Sequence, residues 1–330
     1  MKIKKLTNID FFKIFPGPRN KNTNKNDYGH VLILSGSKNF TGASILTTFG
    51  CLRVGPGLVT LGFPEGLSDR IIPRLPPEAI TLILCSTKDL TLDIKSYETI
   101  KDYIIKRKIN VIVIGPGIGI NTRTKNLIIK LLKANFDIPF ILDADALNNI
   151  STNRKFIIPE FKKNKIIITP HCGEFSRLTG FSVNEINENR EKISEKFAKE
   201  NNVIVVLKGF KTIVTDGYRT YINPTGNPGM AKGGSGDVLT GIIGGFLAQM
   251  LKFKKINKVS SYKTFVDCRI QKEDVLINSC ILATYIHGLA ADIAVKEMTE
   301  LCVLPTDIIN KIPDAIKYGL RSQFSTLKRS

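Results

Sequence analysis

The feature that most constrains the fold is an alternation of short β-branched runs with segments of helical period. Six such runs occur, at residues 31–34, 58–61, 111–114, 140–142, 165–169 and 203–207. They are almost entirely apolar, as strands are when both faces of their sheet are covered. Strands separated by helical segments indicate crossover connections and a mostly parallel sheet. The pattern predicts an α/β protein whose central sheet carries helices on both faces.

Two local patterns add detail to this sheet. Residues 212–215 and 220–223 flank Asp216-Gly217, a dipeptide that suits a type I′ turn, so an antiparallel hairpin is expected there. His30 begins the first strand and is expected on the protein surface.

The chain shows no internal repeat and no break in composition, so one domain is expected. Residues 1–27 are interpreted as an N-terminal lead-in, and 28–330 as the domain. The basic stretch 252–275 is interpreted as a surface insertion. It lies between a helix predicted over 236–251 and a final helix pair predicted over 275–299 and 305–311.

Composition excludes several classes of protein. The 330 residues are 42% hydrophobic, which is enough for a sizeable core. Six cysteines and three histidines occur without a CxxC pair, which argues against a structural zinc site and against a disulfide scaffold. The chain has neither a signal-peptide apolar region nor about 18 uninterrupted apolar residues. A soluble, cytoplasmic protein with no membrane partner is expected.

The net charge of +19 permits two interpretations. A basic chain attracts anionic partners, either nucleic acid or a nucleotide-like substrate. A composition rich in lysine and asparagine gives the same charge without any such function. The lysines are scattered and lack interleaved aromatic residues, so no nucleic-acid partner is expected.

The sharpest motif is a Gly/Pro-rich loop over 223–237 that runs directly into an apolar helix. The first turn of a helix has free N–H groups that bind phosphate oxygens, and Gly234 and Gly236 let such a ligand approach the backbone. Together with Ser235 they form a candidate catalytic loop. Asp237 follows in the first helical turn and could act as a general base. An ordinary helix cap is the alternative, but fifteen linked positions disfavour it.

A second glycine motif follows the strand at 111–114. Gly117 and Gly119 belong to Gly-Pro-Gly-Ile-Gly, at the strand end where parallel sheets bind ligands. The opening segment 28–43 is similar: small residues, including Ala43, follow a strand and leave room for a ligand. A plain strand-to-helix turn would also explain the glycine motif, and it lacks the GxGxxG spacing.

Polar residues follow three further strands. His171 and Glu174 lie in Thr-Pro-His-Cys-Gly-Glu, where Glu174 could hold Mg²⁺ through water and His171 could bind substrate. A capped helix start explains both residues about equally well. Asp145 and Asn148 belong to Asp143-Ala-Asp-Ala-Leu-Asn148, whose acidic residues suit substrate polar groups or metal-bound water, with Asx turns and capping as the alternative. The basic turn 208–212 could meet a nucleotide, or could be an ordinary hairpin loop.

In their order along residues 28–311, these motifs together resemble the NAD(P)H-hydrate dehydratases. Pro-Gly-Met-Ala followed by Gly-Gly-Ser-Gly-Asp, at 228–231 and 233–237, is the most specific part of the resemblance. It implies a ribokinase-like fold. It also implies an ADP-dependent lyase, with ATP as a possible donor and Mg²⁺ as cofactor, that repairs the S form of hydrated NADH and NADPH.

The resemblance also implies roles for individual residues. The hydrated cofactor would contact Ala43, Gly117, Gly119, His171 and Asp237, and the nucleotide would contact Lys208, Gly209, Phe210, Lys211, Thr212 and Gly236. Asp237 would remove the proton of the substrate hydroxyl, and the N–H groups of 234–236 would stabilise the transferring phosphoryl group. Its partners would be these small molecules, and a homo-oligomer is expected.

Three departures and two rivals qualify the resemblance. Lys232 and Cys172 differ from the usual family residues, and only about 27 residues precede the family region, so no epimerase activity is expected. A ribokinase-like kinase of hydroxymethylpyrimidine or hydroxyethylthiazole would share the Gly-Gly-x-Gly-Asp motif. A basic nucleic-acid-binding protein on an inactive scaffold is the rival from another class.

Overall fold

The structure is a computed structural model, and it describes residues 4–6, 14–16, 19, 21–152, 154–256 and 272–327. Within these residues, ten strands form a single sheet. In chain order the strands are β1 (Lys4–Leu6), β2 (His30–Leu34), β3 (Leu58–Pro64), β4 (Ile80–Leu84), β5 (Val111–Ile114), β6 (Phe140–Leu142), β7 (Ile166–Ile168), β8 (Val203–Leu207), β9 (Ile213–Thr215) and β10 (Arg219–Ile222).

The strands lie side by side in the order β1-β10-β9-β8-β7-β6-β5-β2-β3-β4. Of these ten, β9 alone runs antiparallel to its neighbours, and all the other pairs are parallel. The predicted mostly parallel α/β sheet is confirmed, with β1 and β4 as additional edge strands.

Helices cover both faces of this sheet. In chain order they are α1 (Thr41–Arg53), α2 (Ser68–Ile71), α3 (Tyr97–Lys106), α4 (Thr122–Lys133), α5 (Asp145–Ser151), α6 (Arg154–Lys163), α7 (Cys172–Thr179), α8 (Val183–Glu188), α9 (Arg190–Asn201), α10 (Ser235–Ile256), α11 (Lys272–Glu297) and α12 (Pro305–Leu327). Short 3-10 turns also occur, at Lys25–Tyr28, Glu65–Leu67, Ile72–Arg74, Ile94–Ser96 and Pro228–Met230.

Alternating strand residues divide into two apolar cores. Val31 and Ile33 of β2 pack on one face with α1, α10, α11 and α12. Leu32 and Leu34 pack on the other face with α3, α4, α5 and α7. Successive side chains of a strand point to opposite faces, and here both faces are buried. Both sets are therefore apolar, which explains the unbroken apolar runs in the sequence.

Glycines on α10 bring it close to α1. A Cβ on Gly241 would lie 2.8 Å from the backbone N of Cys51, and a Cβ on Gly245 would lie 2.7 Å from its carbonyl O. Larger residues at either position would therefore push the two helices apart. This contact fixes the helix that carries Asp237 against the helix that carries Ala43.

The helix α11 has a segment, Val275–Glu297, that is long and apolar enough to cross a membrane by length and composition alone. In this structure 67% of the most apolar 18-residue stretch of that segment is buried inside the protein. Its side chains, including Ile281 and Ile286, belong to the apolar core on the α10 side of the sheet. The helix is therefore accounted for as a core helix.

The prediction for His30 is wrong, because its side chain is buried. Its Nε2 lies 2.8 Å from the hydroxyl of Thr60, and its Nδ1 lies 3.3 Å from the carbonyl O of Arg107. Burial lowers the pKa of His30 to about 4, so the ring is neutral at pH 7.

The predicted hairpin is confirmed, but the prediction of a type I′ turn is wrong. Strands β9 and β10 pair in an antiparallel register, with Thr215 opposite Thr220. A type I′ turn has positive φ at both central residues, whereas in this turn Gly217 has φ of 85° and its neighbours Asp216 and Tyr218 do not have positive φ. The Asp216 carboxylate instead accepts hydrogen bonds from the backbone N–H groups of the turn.

The basic stretch 252–275 is only partly a separate segment. Residues 252–256 complete α10, and 272–275 begin α11. Helix α10 therefore ends later than the predicted 251, and α11 begins earlier than the predicted 275. The last helix also extends beyond its predicted end at 311 to Leu327. Residues 257–271, the centre of the predicted insertion, lie outside the described residues.

Candidate active site

The candidate site lies where the parallel strands end. The chain places β3 and β4 on one side of β2, and β5 to β8 on the other, so the order reverses between β2 and β5. In open parallel sheets, ligands bind in the crevice beyond the strand ends at such a reversal. The motifs after β2, β5, β6, β7 and β8 all lie along this one edge.

Three residues predicted to bind the hydrated cofactor lie at the reversal. Gly117 and Gly119 have φ of 59° and 80°, which a residue with a side chain rarely adopts. A Cβ on Gly117 would lie 2.8 Å from the Cβ of Ala43, so these two residues are direct neighbours. A Cβ on Gly119 would lie 2.8 Å from Thr91, so a side chain at position 119 would collide with it.

Asp145 and Asn148 support the glycine turn. The Oδ2 of Asp145 accepts a hydrogen bond of 3.0 Å from the backbone N–H of Gly119. Asn148 donates to Oδ1 of Asp145 and accepts a hydrogen bond of 2.9 Å from Nε of Arg177. Both side chains therefore have partners within the protein, but neither caps the start of α5, and a direct role toward ligand stays a prediction.

Ala144 has a strained backbone between two acidic residues. Its φ of 48° and ψ of −119° are rarely adopted by a residue with a side chain, and such strain costs about 1–3 kcal/mol. The preceding Asp143 side chain reaches Lys208, whereas Asp145 reaches Gly119. The strained peptide separates the directions of these two carboxylates.

The start of α10 is open, as a phosphate site requires. Gly234 has φ of 97°, and a side chain there would collide with Leu46. A Cβ on Gly233 would meet nothing within 4 Å, so this part of the loop faces open space. The N–H of Ser235 donates to the carbonyl O of Lys232 at 3.3 Å, so the N–H of Gly236, one residue further on, is the donor left for a ligand in this accessible crevice.

Asp237 lies in the first turn of α10 and remains partly accessible. Burial raises the pKa of its carboxyl to about 7; the Asp143 charge raises it too, and the Lys208 charge opposes the shift. A base whose pKa is close to 7 is suited to proton transfer at neutral pH.

Helix α11 holds the loop that precedes α10, a role that the sequence did not reveal. The carboxylate of Asp292 accepts hydrogen bonds from the backbone N–H of Gly226 and the side-chain amide of Asn227, at 2.9 and 3.0 Å. Nε2 of His287 lies 3.5 Å from the hydroxyl of Ser235. Their spacing along an apolar helix gives no signal of these contacts.

A buried charged cluster lies under the crevice. Nζ of Lys208 is 2.6 Å from Oδ1 of Asp143 and 3.8 Å from Oε2 of Glu174. The hydroxyl of Thr240 donates to Oδ2 of Asp143 at 2.7 Å. Burial alone would lower the pKa of Lys208, but the charges of Asp143 and Glu174 outweigh it and raise that pKa. Asp143 lies in the acidic motif 143–148 that the sequence predicts at the site, whereas Thr240 was not among the predicted site residues.

His171 and Glu174 form the start of α7. The imidazole accepts hydrogen bonds from backbone N–H groups of the first turn, and the Glu174 carboxylate accepts one from the N–H of His171. Burial raises the pKa of Glu174. Burial, followed by the charges of Lys208 and Arg177, lowers the pKa of His171. The helix-cap interpretation is confirmed, and a contact with substrate stays a prediction for both.

The predicted nucleotide loop 208–212 joins β8 to β9. Its first residue, Lys208, reaches into the charged cluster, whereas the Phe210 side chain is 86% exposed. Arg190 donates hydrogen bonds to the carbonyl groups of Leu207 and Lys208, at 3.1 and 3.3 Å. The loop therefore presents an exposed aromatic ring on a backbone that Arg190 fixes.

The described residues do not fit a magnesium ion bound directly by protein. No group of three or more His, Cys, Asp or Glu side chains among them could hold a metal ion. Both carboxylate oxygens of Glu174 already face His171, and both oxygens of Asp143 have partners. The predicted contact of Glu174 with Mg²⁺ through water stays a prediction.

These strand-end motifs on a sheet of this order define a ribokinase-like protein. A solved structure of the same fold, the ADP/ATP-dependent NAD(P)H-hydrate dehydratase from Bacillus subtilis co-crystallised with ATP and Mg²⁺, has a TM-score of 0.72 and 28% identity. The alignment covers 97% of this chain and 99% of that one. The predicted fold class is thereby confirmed.

The chain belongs to the NAD(P)H-hydrate dehydratase family, whose model matches residues 31–314. It is 30% identical over 297 residues to the ADP-dependent (S)-NAD(P)H-hydrate dehydratase of Bacillus subtilis, across 89% of this chain and 91% of that one. It is also 33% identical to a bifunctional NAD(P)H-hydrate repair enzyme of Moorella thermoacetica, across 94% of this chain and 53% of that one. The chain therefore spans about half the length of its bifunctional relatives.

Proposed function

We propose that the chain catalyses the nucleotide-dependent dehydration of the S form of hydrated NADH and NADPH. One observation carries the proposal: the Asp237 carboxylate, whose pKa is raised to about 7, lies in the first turn of a glycine-lined helix at an open crevice. The name of the Bacillus subtilis relative supports the same activity, with ADP as the nucleotide.

The reaction has two steps, because hydroxide is a poor leaving group. Asp237 removes the proton of the substrate's 6-hydroxyl group. The hydroxyl oxygen attacks the terminal phosphorus of the nucleotide, and the bond from that phosphorus to the nucleotide breaks. The ring nitrogen then donates its lone pair, the carbon–oxygen bond breaks, and phosphate leaves. Loss of a proton from the ring carbon next to C6 neutralises the resulting cation and regenerates NADH or NADPH.

The start of α10 is suited to the first step. The phosphoryl group carries its charge on three oxygens during transfer, so fixed donors and positive groups accelerate the reaction. The backbone N–H of Gly236 provides such a donor, and removing one donor of this kind typically costs about 2.7–4 kcal/mol.

The ligands would lie on either side of this helix start. The hydrated ring would contact Ala43, Gly117, Gly119 and His171, and the nucleotide would contact the 208–212 loop. ATP is an alternative donor, since a relative was crystallised with ATP and Mg²⁺. Magnesium would arrive with the nucleotide phosphates.

The experiment is recovery of absorbance at the NADH band from purified hydrate, run with ADP, with ATP and with neither. Recovery that depends on nucleotide supports the proposal. The rival kinase would instead phosphorylate hydroxymethylpyrimidine or hydroxyethylthiazole to a stable product, so the same enzyme is also incubated with each alcohol. A stable phosphorylated alcohol without NADH recovery would contradict the dehydratase assignment.

Three further features are proposed with this function. The single-domain organisation of residues 28–330 agrees with one continuous sheet over the described strands. Cytoplasmic location agrees with substrates that are intracellular cofactors. A homo-oligomer is proposed as well, and light scattering of the purified chain would test it.

A further inference from the structure

Asp143 is a carboxylate that a ligand in the crevice cannot touch. Its side chain has 0% exposure, and each oxygen already has a partner, Lys208 on one side and Thr240 on the other. The strained residue Ala144 and the close backbone of Gly115 fix the peptide on both sides. Asp143 can therefore act on a bound ligand only through the two groups that it holds.

The first of these groups is the Lys208 ammonium, which lies between the buried carboxylate and the crevice. The Lys208 side chain is 17% exposed. Its Nζ lies 3.3 Å from the position that a Cβ on Gly236 would occupy. The ammonium is thus held against the first turn of α10, where free N–H groups bind anionic oxygens.

The second group is the hydroxyl of Thr240. Thr240 follows Asp237 by three residues, so the two side chains lie on the same face of α10. The 2.7 Å hydrogen bond from Thr240 to Asp143 joins this helix to the end of β6. One buried carboxylate therefore fixes both the cation and the helix that carries the base.

We infer that Asp143 and Thr240 are positioning residues that hold the Lys208 ammonium beside the phosphate-binding start of α10, where it stabilises the phosphoryl group during transfer. The inference rests on the proposed function and deepens it. A merely structural pair is the alternative, because a buried ion pair can be replaced without loss of stability. The two readings differ in what happens when both charges are removed together.

The main test is a double-mutant cycle of Asp143→Asn and Lys208→Met. Lys208→Met leaves a buried carboxylate without its cation and is expected to lower the melting temperature most. The double variant removes both charges and is expected to recover that temperature. Each single change is expected to lower kcat about 10²-fold, as displacement of a reacting group by 1 Å does.

The double variant decides between the readings. If Asp143 acts through Lys208, the double variant loses no more kcat than the worse single variant, because both changes remove the same interaction. It then regains stability without regaining activity. A double variant that regains both, or whose losses in kcat multiply, overturns the inference.

A milder pair of variants covers the case in which Lys208→Met fails to fold. Thr240→Ser keeps the hydroxyl and is expected to retain kcat, whereas Thr240→Val is expected to lower kcat about tenfold through loss of the buried hydrogen bond to Asp143. Thr60→Val is the matched control, since Thr60 is equally buried and its hydroxyl bonds to His30 and Tyr103, away from the charged cluster. Equal losses of kcat in Thr240→Val and Thr60→Val would overturn the inference.

Binding measurements separate this inference from the proposed function. Calorimetry with ADP and with orthophosphate alone measures the anion site without any hydrated cofactor. Asp143→Asn and Lys208→Met are expected to weaken both ligands about tenfold, the effect of losing one charged contact. If the wild-type enzyme fails to regenerate NADH, the proposed function is wrong. If the two variants bind ADP and orthophosphate with the wild-type dissociation constants, the role of the Lys208 ammonium is wrong, whatever the outcome of the NADH assay.

Discussion

The Nδ1 atom of His171 accepts a hydrogen bond of 3.0 Å from the backbone N–H of Gly173. A ring nitrogen that accepts is unprotonated, so the neutral imidazole carries its proton on Nε2, 3.3 Å from Oε1 of Glu174. The side chain nevertheless remains 55% exposed. His171 therefore caps α7 and still presents a ring surface that a ligand in the crevice can contact.

The substitution His171→Ala is expected to raise KM for hydrated NADH more than KM for the nucleotide. It removes both the ring surface and the helix cap, and loss of such a cap costs about 1 kcal/mol of stability. Steady-state kinetics with each ligand varied in turn, together with thermal unfolding, measures both effects. Equal changes in the two KM values would remove His171 from the cofactor site.

The variant His171→Asn separates the two roles. Asparagine is among the best residues for capping a helix, so it should restore most of the stability that alanine loses. It lacks the imidazole, so KM for hydrated NADH should remain raised. A normal KM in His171→Asn would show that the ring itself makes no contact that matters to binding.

The substitution Asp237→Asn is expected to lower kcat about 10²–10⁴-fold, the usual contribution of a general base. Asparagine has the same shape and cannot accept the proton, so the fold and the ADP dissociation constant should stay close to wild type. Turnover assays and calorimetry with ADP measure these quantities. Near-full activity in this variant would contradict the assignment of Asp237 as the base.

The pH dependence of the reaction should report on the same carboxyl. Asp237 acts as a base only when ionised, and burial raises its pKa to about 7. The value of kcat/KM is therefore expected to rise with pH and to reach half its maximum near pH 7. A rate profile measured over about two pH units on either side of 7 checks this. A profile that is already flat from pH 5 upward would contradict it.

The raised pKa also predicts an effect on stability. The folded protein binds the Asp237 proton more tightly than the unfolded chain does, because the pKa is about 7 in the fold against a usual 3.8. Stability is therefore lost as pH rises from about 4 to 7. Asp237→Asn escapes this loss, so its melting temperature should exceed that of the wild type above pH 7, and the difference should shrink at pH 5. Differential scanning calorimetry at both values measures this, and a constant difference would contradict the assignment.

Much of the fold could be predicted from the sequence, because apolar runs such as 111–114 and 203–207 fully match β5 and β8. The site motifs could also be assigned to one crevice, since parallel strands end at a common edge. Strand β4 was missed. It is an edge strand in which Thr81 and Ile83 are exposed, although its sequence Ile-Thr-Leu-Ile-Leu is as apolar as the runs that were recognised.

The charged cluster could not be predicted from the sequence in the same way. Asp143 lies 65 residues from Lys208 and 97 residues from Thr240. The first two residues directly follow β6 and β8, and Thr240 lies in α10. A lysine in a basic chain carries no sign that its ammonium is buried. Only the packing of β6, β8 and α10 brings these three side chains together, and no local pattern encodes that packing. The contacts of Asp292 with Gly226 and Asn227 were missed for the same reason.

The last prediction concerns Ala144, whose φ of 48° is strained. Glycine adopts this conformation freely, so Ala144→Gly should relieve about 1–3 kcal/mol of strain, while greater freedom of the unfolded chain costs about 0.4–1 kcal/mol. A rise of about 2–4 °C in melting temperature is expected. Ala146→Gly is the control: the same change inside α5 should destabilise the protein, because glycine lowers helix stability by about 1 kcal/mol. If both variants melt below the wild type, the Ala144 backbone is not strained, and the divergence of the two neighbouring carboxylates must have another cause.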